Sequence, residues 1–588
     1  MFLKCSERRK NGKVHRSWSV VESRRFPGGK IAQQHVLYLG ELNDSQQRAW
    51  ERSFSVFDEQ AGEHRQLALF PADRALPATD TAAVQVRLDE MRLENPRQWG
   101  ACWLGDHLWR TLHLDDFFGA RLPVSREGTD WEKVLRILVI YRLLAPGSEW
   151  RLHRHWFSTT ALADLLGVDA RAAQDDTLYR CHDYALPLKE ELFGHLRQRW
   201  SDLFGARYNV LLYDLTSTYF ECDVPEDEND PRRFGYSRDK RSDCVQVVIA
   251  LVVTPEGLPL AYEMFPGNTA DKTTLRAMLA KIRARFGAAE RIWVMDRGIP
   301  TEAILTELRR ENSGVRYLVG TPKGRLTRFE AELAGLPWRE VHAKLRVKLL
   351  PCEGEVYVLA LSEARMDKER GMRRRALKKY WKRLGALTRL KNKPTRDELL
   401  LKIGHAAAQA GATAALVRVT VAADGVLTYQ LNRDKLRHVR QREGRYLLRT
   451  NLDAQDPELI WRCYMQLVLV EEAFRTLKGD LALRPIYHKT PERIEAHLFI
   501  AFLAYCLAIT LRQQLRAVAG GLMPRVVFEK FATVQMLDVS VPTTDGRELL
   551  LVRHSEPNRE VALLLHQLDL ALPPQAPPKI RAPKTDAL

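Results

Sequence analysis

The sequence predicts a mixed α/β protein, a sheet with helices on its faces, preceded by a mostly helical region. Three observations carry this. From residue 208, three strand-like runs follow one another directly: YNVLLYDL, CVQVVIALVVT (244–254) and LPLAYEMF (258–265). Helix and strand patterns then alternate through TTLRAMLAKIRARFG (273–287), RIWVMDRG (291–298), TEAILTELRREN (301–312) and VRYLVGTP (315–322). The strands are apolar almost throughout, as a sheet covered on both faces requires.

The elements follow in chain order. Residues 13–42 read as two strands around a turn at Pro27-Gly28-Gly29, within an N-terminal β-containing region over 1–80. Residues 81–205 are helical by periodicity, with WEKVLRILVIYRLL (131–144) the clearest amphipathic stretch and Pro146-Gly147 its punctuation. This region carries Arg and Trp residues and suits a DNA-binding domain or a plain scaffold equally. The α/β region occupies 206–322, with Thr269 or Asp271 as candidate N-caps of its first helix. Over 323–440 the alternation stops. Short strand-like pieces (LRVKLL, VYVLAL, LVRVTVA, LTYQLN) surround one very basic helical segment, 364–393, so this stretch predicts a largely β insertion. The α/β pattern resumes over 441–520 with YLLRTNL (446–452), a long helix over 458–481 and an apolar helix around 494–515. The last region, 521–588, predicts a hairpin turning at Asp545-Gly546, and the composition of its Pro- and Lys-rich tail predicts disorder.

The bulk numbers narrow the class. A chain of 588 residues is too long for one core. The formal net charge of +17 favours a polyanionic partner, nucleic acid first. The eight cysteines form no CxxC pair, which speaks against a zinc ribbon and a disulfide framework. The N-terminus MFLKCSERRKNGK lacks the apolar core of a signal peptide, and the apolar run 498–509 is too short to span a bilayer. The expected location is the cytoplasm, at the nucleoid when DNA is bound, with no membrane partner.

Two apolar strands deliver a carboxylate to their ends: VLLYD closes on Asp214 and IWVMD on Asp296. Loops at one edge of an α/β sheet are where such folds place chemistry. A third carboxylate is available on the long helix, as Glu471 or Glu472. On that helix Tyr464, Leu467, Glu471, Arg475 and Lys478 are spaced three, four, four and three apart, which places all five on one face. Other features carry less. His153 and His155 lack a carboxylate or thiol partner and read as non-ligands, and the acidic loop DVPEDEND (223–230) reads as a solvated turn.

These blocks resemble the DDE transposases of bacterial insertion sequences, in the group (the "IS-four" superfamily) with the signature Y-x2-R-x3-E-x6-K. YMQLVLVEEAFRTLK places Tyr464, Glu471 and Lys478 at the signature intervals, and that register selects Glu471 over Glu472. Leu467 stands where the signature has arginine. YDLTSTYFE is similar to the first-Asp block, VMDRGIPTE to the second, and FPGNTAD (265–271) to a segment between them.

The resemblance implies an RNase H-like catalytic core interrupted by the insertion. Asp214, Asp296 and Glu471 are its expected catalytic and metal residues, holding two Mg²⁺ ions, with Mn²⁺ as a substitute. All-oxygen donors suit Mg²⁺, and a divalent ion relieves the repulsion of three clustered carboxylates. The implied reaction is cleavage of double-stranded DNA at terminal inverted repeats and transfer into a target. Pairing two transposon ends favours a homodimer on DNA. Tyr464, Lys478 and Arg475 are expected DNA contacts, with Arg475 standing in for the missing arginine. Arg373, Arg374, Arg375, Lys378 and Lys379 of the basic segment are expected to follow phosphates, with Tyr380 or Trp381 against a base. The competing readings are an RNase H-like nuclease that never joins strands and a DNA-binding derivative without catalysis.

Overall fold

The computed structural model describes residues 2–10, 13–25, 31–41, 54–58, 62–71, 83–287, 291–296, 298–310, 315–321, 329, 332–333, 335–352, 354–390, 394–423, 425–452 and 456–582. The chain divides into two compact units. One comprises residues 1–188, 480–482 and 496–588, the other 189–479 and 483–495.

In the first unit, β1 (Phe2–Lys10), β2 (Lys13–Arg25) and β3 (Ile31–Glu41) form an antiparallel sheet in the order β1-β2-β3. The turn expected at Pro27-Gly28-Gly29 lies outside the described residues. A second sheet takes strands from both ends of the chain: β4 (Phe54–Asp58), β5 (Glu63–Pro71), β6 (Ala83–Val86), β7 (Arg92–Gln98), β19 (Gln535–Pro542), β20 (Glu548–His554) and β21 (Lys579–Arg581). Their order is β6-β5-β4-β21-β20-β19-β7.

This sheet corrects two expectations. Helix begins at Gly100, not at 81, because 83–86 and 92–98 are strands. The tail expected to be disordered supplies β21, whose Ile580 is buried against Val84, Val86, Val539, Val541 and Leu549. Burial of that side chain outweighs the Pro-rich composition around it. The hairpin β19–β20 turns around Asp545-Gly546 as the sequence indicates.

Helix α1 (Trp131–Leu144) starts at Asp130, whose carboxylate accepts from the Lys133 amide. It is buried on nearly every side, including Arg136. That guanidinium donates to Asp106 at 2.6 Å and Glu132 at 2.7 Å, and Glu132 also accepts from the Trp109 indole at 2.7 Å. Arg136 therefore belongs to a satisfied core network and is not offered to a partner. The apolar helix runs Pro491–Ala519. It is long and apolar enough to cross a membrane, but its most apolar window is 94% buried within the protein, the mark of a core helix.

The second unit is built on a nine-stranded sheet. Its strands are β8 (Val210–Phe220), β9 (Val245–Val253), β10 (Pro259–Pro266), β11 (Arg291–Met295), β12 (Val315–Thr321), β13 (Arg339–His342), β14 (Leu345–Cys352), β15 (Glu355–Ser362) and β18 (Arg445–Thr450), in the order β10-β9-β8-β11-β12-β18-β15-β14-β13. The first three are antiparallel, and β11 runs parallel to both β8 and β12. Helices α2 (Asp271–Phe286) and α3 (Glu302–Arg310) make the connections that this parallel pairing needs. Neither Thr269 nor Asp271 caps α2. Ala270 holds the cap position without a side-chain bond, and the Asp271 carboxylate is taken by Arg238.

The segment 323–440 is not largely β. Strands β13–β15 extend the main sheet beyond β18, while α4 (Glu363–Leu387), α5 (Arg396–Ala410) and α6 (Arg433–Arg442) make the rest chiefly helical, beside a hairpin of β16 (Val417–Val421) and β17 (Leu427–Leu431). Tyr380 and Leu384 of α4, Ala406 of α5 and Val417 of β16 form its core. Where the insertion meets the flanking strands, Glu355 of β15 accepts from Arg449 of β18 at 3.0 and 2.5 Å and from the Tyr317 hydroxyl of β12, and pairs with Arg309 of α3 at 3.1 Å. Arg449 also donates to Glu302, the first residue of α3, at 2.6 Å.

Candidate active site

Asp214 does not end its strand. β8 continues to Phe220, and Asp214 pairs with Leu251 of β9. What ends beside it is the parallel pairing with β11, whose last step is Tyr213 opposite Met295. One residue further on each strand come Asp214 and Asp296, so adjacent parallel strands bring both carboxylates to the same level.

Side-chain alternation fixes the faces. The Tyr213 hydroxyl donates to Thr274 of α2 at 2.8 Å, so α2 covers that face of β8. Asp214 points to the other face, where α8 (Leu467–Arg475) packs on β8 and β9. Glu471 of α8 is exposed, and its charge reaches Asp214. Burial, together with the charges of Asp296 and Glu471, pushes the Asp214 carboxyl up to about 7 against the pull of a backbone bond and of Arg238. The three carboxylates that the sequence singled out thus share one locality. An all-oxygen set in which two neighbouring charges favour protonation of the buried Asp214 fits a hard divalent cation.

That shift has a consequence for pH. A carboxyl whose folded-state pKa lies above its unfolded value of about 3.9 stabilises the metal-free fold fully below that value and loses the contribution as pH rises through about 7. In chelator, thermal unfolding should fall in midpoint between mildly acidic and mildly alkaline buffer. Asp214→Asn should flatten that fall and Mg²⁺ should offset it. An Asp214→Asn profile parallel to the parent's would refute the assignment.

The long helix expected over 458–481 is broken. It consists of α7 (Pro457–Met465), α8, and a π-helical turn over Thr476–Asp480, with Gln466 between the first two. The five-residue stripe is therefore not one straight line. Glu471 and Arg475 are exposed, Tyr464, Leu467, Glu472 and Lys478 half-buried. The Tyr464 ring packs edge-on to Tyr446, 5.9 Å between centroids. Lys478 donates to both oxygens of Asp239 at 3.1 Å.

Sequence reasoning passed over the loop between β8 and β9. There Arg238 donates to both oxygens of Asp271 at 2.8 and 2.7 Å, and Asp239 binds Lys478 and, at 3.1 Å, Arg484. The run SRDKRSD (237–243) was its only visible signal. The nearby acidic stretch is not wholly solvated either: Asp230 is buried and paired with Arg232 at 2.6 Å. His153 bonds the Ala173 carbonyl at 3.0 Å.

The base of this loop sits against the turn after β10 through two glycines. A Cβ on Gly267 would lie 2.0 Å from the Gln246 carbonyl oxygen and 2.3 Å from that of Arg233, and one on Gly235 1.9 Å from the Gly267 oxygen. Backbone cannot step aside as a side chain can. Gly267→Ala should cost about 1–3 kcal/mol or more, read as a lower unfolding midpoint. A midpoint equal to the parent's would show that the two segments are not held together.

In the basic helix α4 the five expected cations separate. Arg373 is paired with Glu443, and its side chain is only 10% exposed. Arg374, Arg375, Lys378 and Lys379 are exposed. Tyr380 is buried in the core of the inserted segment and cannot meet a base. Trp381 is partly exposed and packs edge-on to Tyr429 at 4.8 Å.

Comparison with known proteins adds three findings. No curated protein sequence matches the chain. Among solved structures, the cryo-EM structure of a piggyBac transposase synaptic complex with hairpin DNA aligns over 75% of this chain and 82% of that one, at 12% identity and a TM-score of 0.34, a likeness too loose to argue from. Residues 222–507, a span that starts after Asp214 and contains Asp296, Glu471 and Lys478, match the family model described as the transposase DDE domain, which supports a transposase of the DDE type.

Proposed function

We propose that the chain is an insertion-sequence transposase of the "IS-four" type. In this reading it binds the terminal inverted repeats of its element as a homodimer, at the nucleoid, and cuts and joins DNA with an RNase H-like core. The observation that supports it best is the register that levels Asp214 with Asp296 while α8 carries Glu471 to the same face. The mixed order β10-β9-β8-β11-β12, three antiparallel strands followed by two parallel ones, supports an α/β core of this kind.

Asp214, Asp296 and Glu471 would hold two Mg²⁺ ions, with Mn²⁺ as a substitute. Bound there, the metal supplies activation of the attacking oxygen and stabilisation of the leaving one. The rest falls to the chain. A rigid sheet sets the separation of the two aspartates, and α8 sets that of Glu471. Lys478 and Arg475 bind phosphates and Tyr464 flanks them, while Arg374, Arg375, Lys378 and Lys379 track the duplex further along.

The test uses the DNA that brackets the reading frame. Incubated with the protein and Mg²⁺, duplexes from those flanks should be cut at the element's ends and joined to a target plasmid. Cutting without joining, even of precut ends with a 3′-hydroxyl, would make the chain a nuclease. Binding without cutting would make it a DNA-binding derivative.

Replacing Arg374, Arg375, Lys378 and Lys379 with Gln should weaken binding to all sequences alike. The slope of log affinity against log salt should shrink by about 0.9 for each phosphate that the variant no longer neutralises. An unchanged slope would make α4 a solvated face. Arg373→Gln should instead lower stability, because it leaves the buried Glu443 carboxylate with Arg370 alone as its cation.

A further inference from the structure

We propose that Lys478, Arg484 and the Tyr219 ring form a seat for one DNA phosphate, and that the Asp239 carboxylate fills this seat until DNA displaces it. The proposal rests on the reading that the chain acts on DNA, and it concerns how that DNA is gripped.

The seat is visible in what surrounds one carboxylate. Lys478 reaches both Asp239 oxygens at 3.1 Å, and Arg484 reaches one of them at 3.1 Å. The three side chains are 15%, 24% and 18% exposed for Lys478, Arg484 and Asp239, so solvent reaches the cluster without washing through it. The Arg484 guanidinium lies over the Tyr219 ring at 4.7 Å, and that of Arg241 over the same ring at 4.8 Å. A stacked guanidinium keeps its orientation and its donor fork free for an anion. Arg241 itself is engaged by Asp243 and Glu221, which leaves Arg484 as the cation aimed at the seat.

Two cations on one carboxylate leave a positive excess. A phosphodiester carries the same single charge spread over two free oxygens, so it can replace the carboxylate without changing the charge of the seat. Lys240, next to Asp239, has φ of 61°, a left-handed conformation that a non-glycine residue adopts at a cost.

The seat accounts for Leu467. Where the signature has arginine one turn before the glutamate, this chain has a leucine, and the guanidinium beside Lys478 comes instead from Arg484, after the π-helical turn. Arg475, the substitute that helical spacing suggests, makes no ion pair among the described residues and is not part of the cluster.

The experiment measures binding of a labelled duplex of arbitrary sequence to the full chain by fluorescence anisotropy. Arg484→Gln should weaken binding about tenfold to a hundredfold, the reduction expected on removing one charge-assisted hydrogen bond. Asp239→Asn, which keeps the shape and removes the competing charge, should bind more tightly than the parent. Inorganic phosphate should raise the unfolding midpoint of Asp239→Asn more than that of the parent. Asp239→Asn binding equal to or weaker than the parent overturns the proposal, as does Arg484→Gln within about twofold of it. If Asp239→Asn does not fold, Arg484→Gln decides alone. A parent chain that fails to bind duplex sinks the transposase reading itself, whereas a parent that binds, with Arg484→Gln unchanged, sinks only the seat.

Discussion

Asp214→Asn, Asp296→Asn and Glu471→Gln should each lower DNA cleavage by about a thousandfold or more, while duplex affinity stays close to the parent's. The size follows from what a divalent ion contributes to a phosphodiester transition state, several kcal/mol, with about 1.4 kcal/mol for each factor of ten. Binding should survive because the expected phosphate contacts lie on other residues: Lys478, Arg475 and the exposed face of α4. The amides keep the shape of the carboxylates, so a collapse of the fold does not account for the loss. Glu472→Gln serves as the comparison, since it neighbours Glu471 and is half-buried. If Glu472→Gln is the variant that fails and Glu471→Gln cuts normally, the register of the third carboxylate is off by one residue. If all three are active, this locality is not the catalytic centre.

Arg449→Met should lower the stability of the second unit by about 3–5 kcal/mol, the cost of breaking a buried ion pair, with Glu355 left to Arg309 and the Tyr317 hydroxyl. Arg449 and Glu355 have side chains only 5% and 2% exposed. At roughly 2–4 °C per kcal/mol for a unit of this size, the first unfolding transition should drop by about 10 °C. Cleavage should fall with it at temperatures the parent tolerates, because Arg449 also holds Glu302, at the start of the helix that follows Asp296. A variant that melts within about 2 °C of the parent would show that Arg309 and Tyr317 satisfy Glu355 without it.

Much of this unit could be read from the sequence. The strands β8 to β12 announce themselves as apolar runs bounded by turn residues, and both aspartates stand out because each follows such a run. The continuation of β8 past Asp214 was hidden by its hydroxyls. Thr216, Ser217 and Thr218 look like a break, yet they are buried and pair with Ile249, Val248 and Val247, and the Ser217 hydroxyl accepts from the Arg238 amide. Threonine, being β-branched, is at home in a strand. The break at Gln466 carries no proline or glycine, so periodicity ran the helix straight through it. The pairing of Asp239 with Lys478 joins residues far apart in the chain, and no local pattern encodes it. Strand β21 was masked by prolines, because composition says nothing of the groove that one isoleucine can fill.

The placement of β13–β15 also bears on solubility. β18 is bonded on one side to β12 and on the other to β15, along Arg445–Leu361 to Thr450–Val356. A chain trimmed of residues 323–440 would bare that second side as a row of unpaired amides and carbonyls, on a strand whose Leu447 and Leu448 are apolar, and such rows recruit other chains. In the intact protein the sheet instead closes on β13, four residues long and slipped in register between Glu340 and His342, a poor template for further pairing. The segment that carries the basic helix thus also covers the open side of β18, and a minimal core cut free of it should precipitate where the whole chain stays dissolved.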